Sequence, residues 1–183
     1  MAMSPRVRRL ALTAHVTASV GWFGAVAVFL ALAITGLVAR DVLTARSVYV
    51  TMGVTGWYVI VPFCFAALAS GIVSALGTTW GLLRHYWVTV KLTITALATG
   101  ALLLHMPAIG HLTDAAASPA WTGDDLLGLR TQLVVQSGAA LIVLLGATAL
   151  SVYKPQGRTR YGQRLQQRQA PAPRPGAGVA AAD

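Results

Sequence analysis

The chain of 183 residues contains no glutamate, five aspartates and a single cysteine, Cys64. Without glutamate, ordinary paired-carboxylate chemistry has little to draw on. One thiol cannot close an intramolecular disulfide, and no CxxC or zinc-type spacing exists, so Cys64 reads as plain packing. There is no glycine-rich phosphate loop, no Ser-His-Asp spacing and no internal repeat. Charge is scarce as well: 10% of the residues are charged, against about 25% in soluble domains. That shortage excludes an ordinary soluble globular fold.

What is present is apolar and unevenly arranged. Hydrophobic residues make up 56% of the chain. Charge-free runs extend from Leu10 to Ala39, Ser47 to Leu83, Leu92 to Thr113 and Thr131 to Tyr153. Each exceeds the roughly 20 residues that cross about 30 Å of hydrocarbon as a helix. None carries a polar stripe at helical period, as a soluble bundle would require. The expected fold is all-α: an integral four-transmembrane-helix bundle with spans near 7–38, 50–76, 86–106 and 130–153. The first run is too long for a signal h-region of roughly 7–15 residues, so it reads as an uncleaved helix.

Net charge is +9, and its placement sets orientation. With both termini cytoplasmic, eleven of the fourteen basic residues fall inside, including Arg6, Arg8, Arg9, Arg84, Lys91 and Lys154. Arg40, Arg46 and Arg130 fall outside with Asp41, Asp114, Asp124 and Asp125. The positive-inside rule therefore predicts cytoplasmic N and C termini. Residues 154–183 turn rich in Arg, Gln, Pro, Ala and Gly, and read as a disordered cytoplasmic tail whose basic half lies on anionic headgroups. The cations flank apolar spans rather than gathering on a folded face, which argues against nucleic-acid binding.

Within the spans, Ser4 and Pro5 suit the start of the first helix. Ser19 and Trp22 share the face of His15, which should turn inward. Gly53, Gly56 and Pro62 blur the start of the second span, and Trp57 with Tyr58 reads as an outer aromatic belt. Ala67 and Gly71 form a small-xxx-small packing pair. Pro107 is expected to stop the third helix, leaving an outer loop to about Trp121 that holds His111 and Asp114. Thr122-Gly123-Asp124-Asp125 has the form of a capping box ahead of the fourth helix.

Depth decides which polar groups can meet. His15 lies six residues past Arg9 and Lys91 seven past Arg84, so both sit roughly 10 Å inside and level with one another. His105 lies roughly 30 Å from Arg84 and cannot join them. The candidate cofactor-binding residues are thus His15 and Lys91, with His85 at the rim. A haem b would need a neutral imidazole, and the lysine could serve as second ligand or as the cation meeting a propionate. At the other end, His105, Gln132 and Gln136 read as an interhelical hydrogen-bond cluster.

Two resemblances rest on these residues. Ala14-His15-Val16 through Gly21-Trp22-Phe23-Gly24, Trp80 to Val88 with Lys91-Leu92, and Leu150 to Pro155 with Gly157 and Tyr161-Gly162 resemble a family of small four-helix bacterial integral membrane proteins whose domain has no assigned function. That likeness covers Arg8 to Gly162 and implies only fold and membrane location. More distantly, His15 with Trp22, and Trp87 with Lys91-Leu92, resemble the cofactor site of the membrane-embedded, haem-containing protoporphyrinogen oxidases and related copper-resistance membrane proteins. Phe29-Leu30-Ala31 stands where the oxidases carry Leu-Pro-Arg.

The resulting expectation is a non-enzymatic membrane component or partner subunit, working with another membrane protein or as a homo-oligomer. The alternative is a single-haem redox protein using the inner His/Lys site. A transporter is the weaker third reading, because one buried lysine among four short-looped helices offers no ion pathway.

Overall fold

The computed structural model describes residues 3–77, 86–122 and 126–153. Of these, 91% are helical, and no strand occurs among the described residues. Helix α1 runs Pro5–Val38, with the Ser4 hydroxyl accepting from the Val7 amide at its start. The second span, Val42–Leu76, is α2 (Val42–Thr55), a π-helical turn (Gly56–Ile60) and α3 (Val61–Leu76) in unbroken succession. Helix α4 spans Tyr86–Ala117 and α5 spans Leu127–Tyr153. The chain is a multi-pass membrane protein with four helices long and apolar enough to cross a bilayer.

Two of these elements differ from the sequence expectation. The second span begins at Val42 rather than near residue 50, because Asp41 caps it, accepting from the Thr44 amide and hydroxyl at 2.8 and 2.9 Å. Pro62 cannot donate to the carbonyl four residues back. The wide turn before it accommodates this, with the Val61 amide reaching the Gly56 carbonyl. Pro107 likewise lies inside α4 and does not end it. Beyond it, Ile109, Leu112 and Ala116 bury one face against the core. That packing, at a helical spacing of three and four, outweighs the one backbone bond the proline removes. The loop expected over 107–121 is therefore mostly helix. The capping residues Gly123, Asp124 and Asp125 and the whole tail from Lys154 lie outside the described residues.

The spans pack in a ring in chain order. α1 lies between α2–α3 and α5, and α4 closes the ring between the same two neighbours. The diagonals α1–α4 and α2–α5 make no close backbone approach among the described residues. Trp22, Phe29, Tyr49, Met52, Cys64, Met106 and Leu112 fill the interior. The exterior is inverted relative to a soluble protein: Leu10 is 70%, Leu104 80% and Ile142 71% exposed. Lipid is as apolar as these side chains, so helix association depends on close packing and on interhelical polar links.

A helix of 34 residues is about 51 Å long. That exceeds the hydrocarbon, and a tilt of about 30° would fit it to a bilayer counted with its headgroup regions, about 40–45 Å. Exposed apolar residues continue to both ends of α1, Val7 and Leu10 at one and Ile34 and Val38 at the other.

Candidate functional site

Each open diagonal of the ring is bridged by a cation, at opposite ends of the bundle. Near the N-terminal end of α1, His15 projects between α3 and α4. Its Nδ1 lies 3.1 Å from the Ala67 carbonyl and 3.2 Å from the Ser70 hydroxyl oxygen. A carbonyl only accepts, and the Ser70 hydroxyl already donates to the Ala66 carbonyl, so Nδ1 carries the hydrogen. Nε2 is then an acceptor, and the Lys91 ammonium of α4 donates to it at 3.3 Å.

Local sequence makes this meeting possible. Gly71 lies under the ring, and a Cβ there would come within 3.0 Å of His15 Cε1. Thr99, two turns from Lys91, donates to the Thr95 carbonyl of its own helix, so this hydroxyl serves its own backbone. One turn beyond Gly71 along the same face of α3, the buried Ser74 hydroxyl has no hydrogen-bond partner among the described residues. The chain has no acidic residue before Asp41 and none between Asp41 and Asp114. Lys91 therefore has a neutral imidazole, not a carboxylate, as its partner.

The sequence-predicted set is only partly assembled. His15 and Lys91 come together as their common depth requires, whereas His85 lies outside the described residues. The pair does not fit a haem iron held between its nitrogens. Metal–nitrogen bonds of about 2 Å would hold them about 4 Å apart on opposite faces of a porphyrin, and here they are in direct contact at 3.3 Å. A propionate role for Lys91 would require it to leave His15. No group of three or more His, Cys, Asp or Glu residues suited to a metal exists among the described residues.

His105, Gln132 and Gln136 do not form the expected cluster. His105 donates to the Ala101 carbonyl of its own helix, Gln132 is exposed and Gln136 is half-buried. The polar centre of that end is instead Arg130, which is 5% exposed. Its Nε donates to the Tyr49 hydroxyl at 2.8 Å across the α2–α5 diagonal. Nη2 donates to the Gly36 and Leu37 carbonyls at 2.8 and 3.3 Å. Its guanidinium carbon lies 5.4 and 5.9 Å from the Tyr49 and Trp121 ring centres, and those rings meet edge to face.

The physical reason lies at the end of α1, whose last turn has no basic residue of its own. Its final carbonyls lack intrahelical donors and carry the negative end of the helix dipole. Arg130 supplies both donors and charge from a neighbouring helix. Arg46 repeats the device for α4, donating through Nε to the Ala116 carbonyl at 2.8 Å and through Nη2 to Ala117 at 3.1 Å. In the sequence both arginines read as charge flanking an apolar span. The available signal was their position on the side that the charge bias disfavours.

No protein-family model matches the chain, and no curated protein or solved structure matches it either.

Proposed function

We propose that the protein is a non-catalytic integral component of the bacterial plasma membrane, with both termini cytoplasmic, acting as a partner subunit in a membrane assembly. The observation that carries this reading is the use of polar side chains as fasteners between helices. His15 joins α1 to α3, Lys91 joins α4 to α1, Arg130 joins α5 to α1 and α2, Arg46 joins α2 to α4, and Thr113 joins α4 to the Tyr49 carbonyl of α2. Such groups give the bundle a single arrangement, where apolar packing alone discriminates weakly in lipid. Orientation rests on the positive-inside distribution. Reporter fusions at residues 40 and 120 should read external, and fusions at the C terminus internal.

A second reading, a single-haem redox protein, is favoured by one observation. The Nδ1 hydrogen bond to Ala67 holds the His15 ring in the tautomer that an axial ligand uses. The absorption spectrum of detergent-purified protein, expressed with ample haem, separates the two. The subunit reading predicts no Soret band, and a stoichiometric band would replace it with the redox reading.

A further inference from the structure

We infer that the mouth of the α2–α4 seam is a phospholipid-binding groove, with the lipid phosphate seated on Arg46. The groove is shallow and open along its outer side, with a volume of about 490 Å³, and is lined by Leu43, Arg46, Ser47, Val50, Ala116 and Ala117. Four of the six side chains are hydrocarbon, one is a cation and none is acidic. That combination suits a ligand carrying both an anion and an alkyl chain.

The guanidinium is divided between two tasks. Nε and one hydrogen of Nη2 face the α4 terminus and donate to the Ala116 and Ala117 carbonyls. These contacts fix the plane of the group, and the remaining Nη1 and Nη2 hydrogens along its end edge have no partner among the described residues. A planar fork with one edge anchored is preorganised for two parallel bonds to a phosphate at the other. A lysine ammonium, a single point of charge, could not hold two carbonyls and present a fork as well. The Ser47 hydroxyl donates back to the Leu43 carbonyl, leaving its oxygen lone pairs outward and Arg46 as the site's anion-binding group.

Depth selects a lipid as the occupant. Arg46 lies in the second turn of a candidate span that begins at Val42, roughly 6 Å from the helix end. Leu43 beside it is 69% exposed, and Val38 and Val42 at the same end are 67% and 40% exposed. Apolar surface bared at this level belongs in the bilayer's interfacial region rather than in water. Toward the membrane centre, Val50 and Val54 continue the exposed line of α2. A phosphate on Arg46 would thus direct an acyl chain along Ser47, Val50 and Val54.

The test is native mass spectrometry of the full-length, delipidated protein in detergent, titrated with phosphatidylglycerol. The basic tail will also collect lipid, so the reading is the difference from wild type. Arg46→Lys and Ala117→Leu, the latter filling the groove without touching the charge, should each bind one lipid fewer. The affinity of that lipid should fall about tenfold or more, the scale of a charge-assisted hydrogen bond. Helix content by circular dichroism should stay unchanged in Ala117→Leu. Equal lipid occupancy in wild type and both variants would overturn the inference. So would equal retention of dioleoylglycerol, which lacks phosphate, or displacement of the lipid by inorganic phosphate.

Discussion

Replacing Arg130 by alanine should destabilise the bundle by about 2–6 kcal/mol, a range built from the acceptors it leaves behind. The guanidinium donates to the Tyr49 hydroxyl and to the Gly36 and Leu37 carbonyls. Hydrogen bonds to a charged group contribute about 1.5–3 kcal/mol each, and a cation at a helix C terminus adds up to about 2 kcal/mol where partly buried. Opposing this, alanine releases a cation whose burial itself costs several kcal/mol. The net loss is then set mainly by the two buried acceptors left unpaired, the Tyr49 hydroxyl and the Gly36 carbonyl, at about 1–3 kcal/mol each and so about 2–6 kcal/mol together. Tyr49→Phe removes one acceptor while keeping the ring beneath the guanidinium, and should cost about 1 kcal/mol. The assay is equilibrium unfolding in mixed micelles, followed by near-ultraviolet and helical signals together. A double-mutant cycle should return a coupling of about 1 kcal/mol or more between the two residues. A loss within about 0.5 kcal/mol for Arg130→Ala, the range of an ordinary surface change, would refute the capping argument.

Three further outcomes follow from the same geometry. His15→Ala and Lys91→Ala should each cost about 1–2 kcal/mol, and the double variant should cost about 1 kcal/mol less than their sum, because one hydrogen bond is lost in both. Gly36→Ala would place a Cβ 2.7 Å from Tyr49 Cζ, and should cost about 1–3 kcal/mol in the same unfolding assay. The Thr44 amide and hydroxyl hold the Asp41 carboxyl below the usual carboxylate range. A lowered folded-state pKa means that its contribution is complete above the ordinary carboxylate value and is lost as pH falls through the lowered one. Melting temperature should therefore decline on acidification in wild type, and less steeply in Asp41→Ala.

The four spans were legible because charge-free length is a property of composition, and lipid leaves no alternative to a helix for so long an apolar run. The meeting of His15 and Lys91 was legible too, since depth along a helix follows from counting residues away from a charged boundary. Pro107 misled because a proline's local cost is small beside a buried face. Ile109, Leu112 and Ala116 supply that face, and their spacing was present in the sequence. Arg46 and Arg130 were not legible as caps, because their acceptors are main-chain carbonyls with no side-chain signature. Only the third dimension brings the ends of α1 and α4 beside arginines 70 to 94 positions away.

On the proposed reading, the His15–Lys91 contact fastens helices and carries no cofactor. The most direct test is the absorption spectrum of protein purified after haem-replete expression, recorded beside His15→Ala. Wild type should show no Soret band, with His15→Ala differing only in a lower unfolding midpoint. A Soret band in wild type at one haem per chain, lost in His15→Ala while helix content holds, would contradict the account.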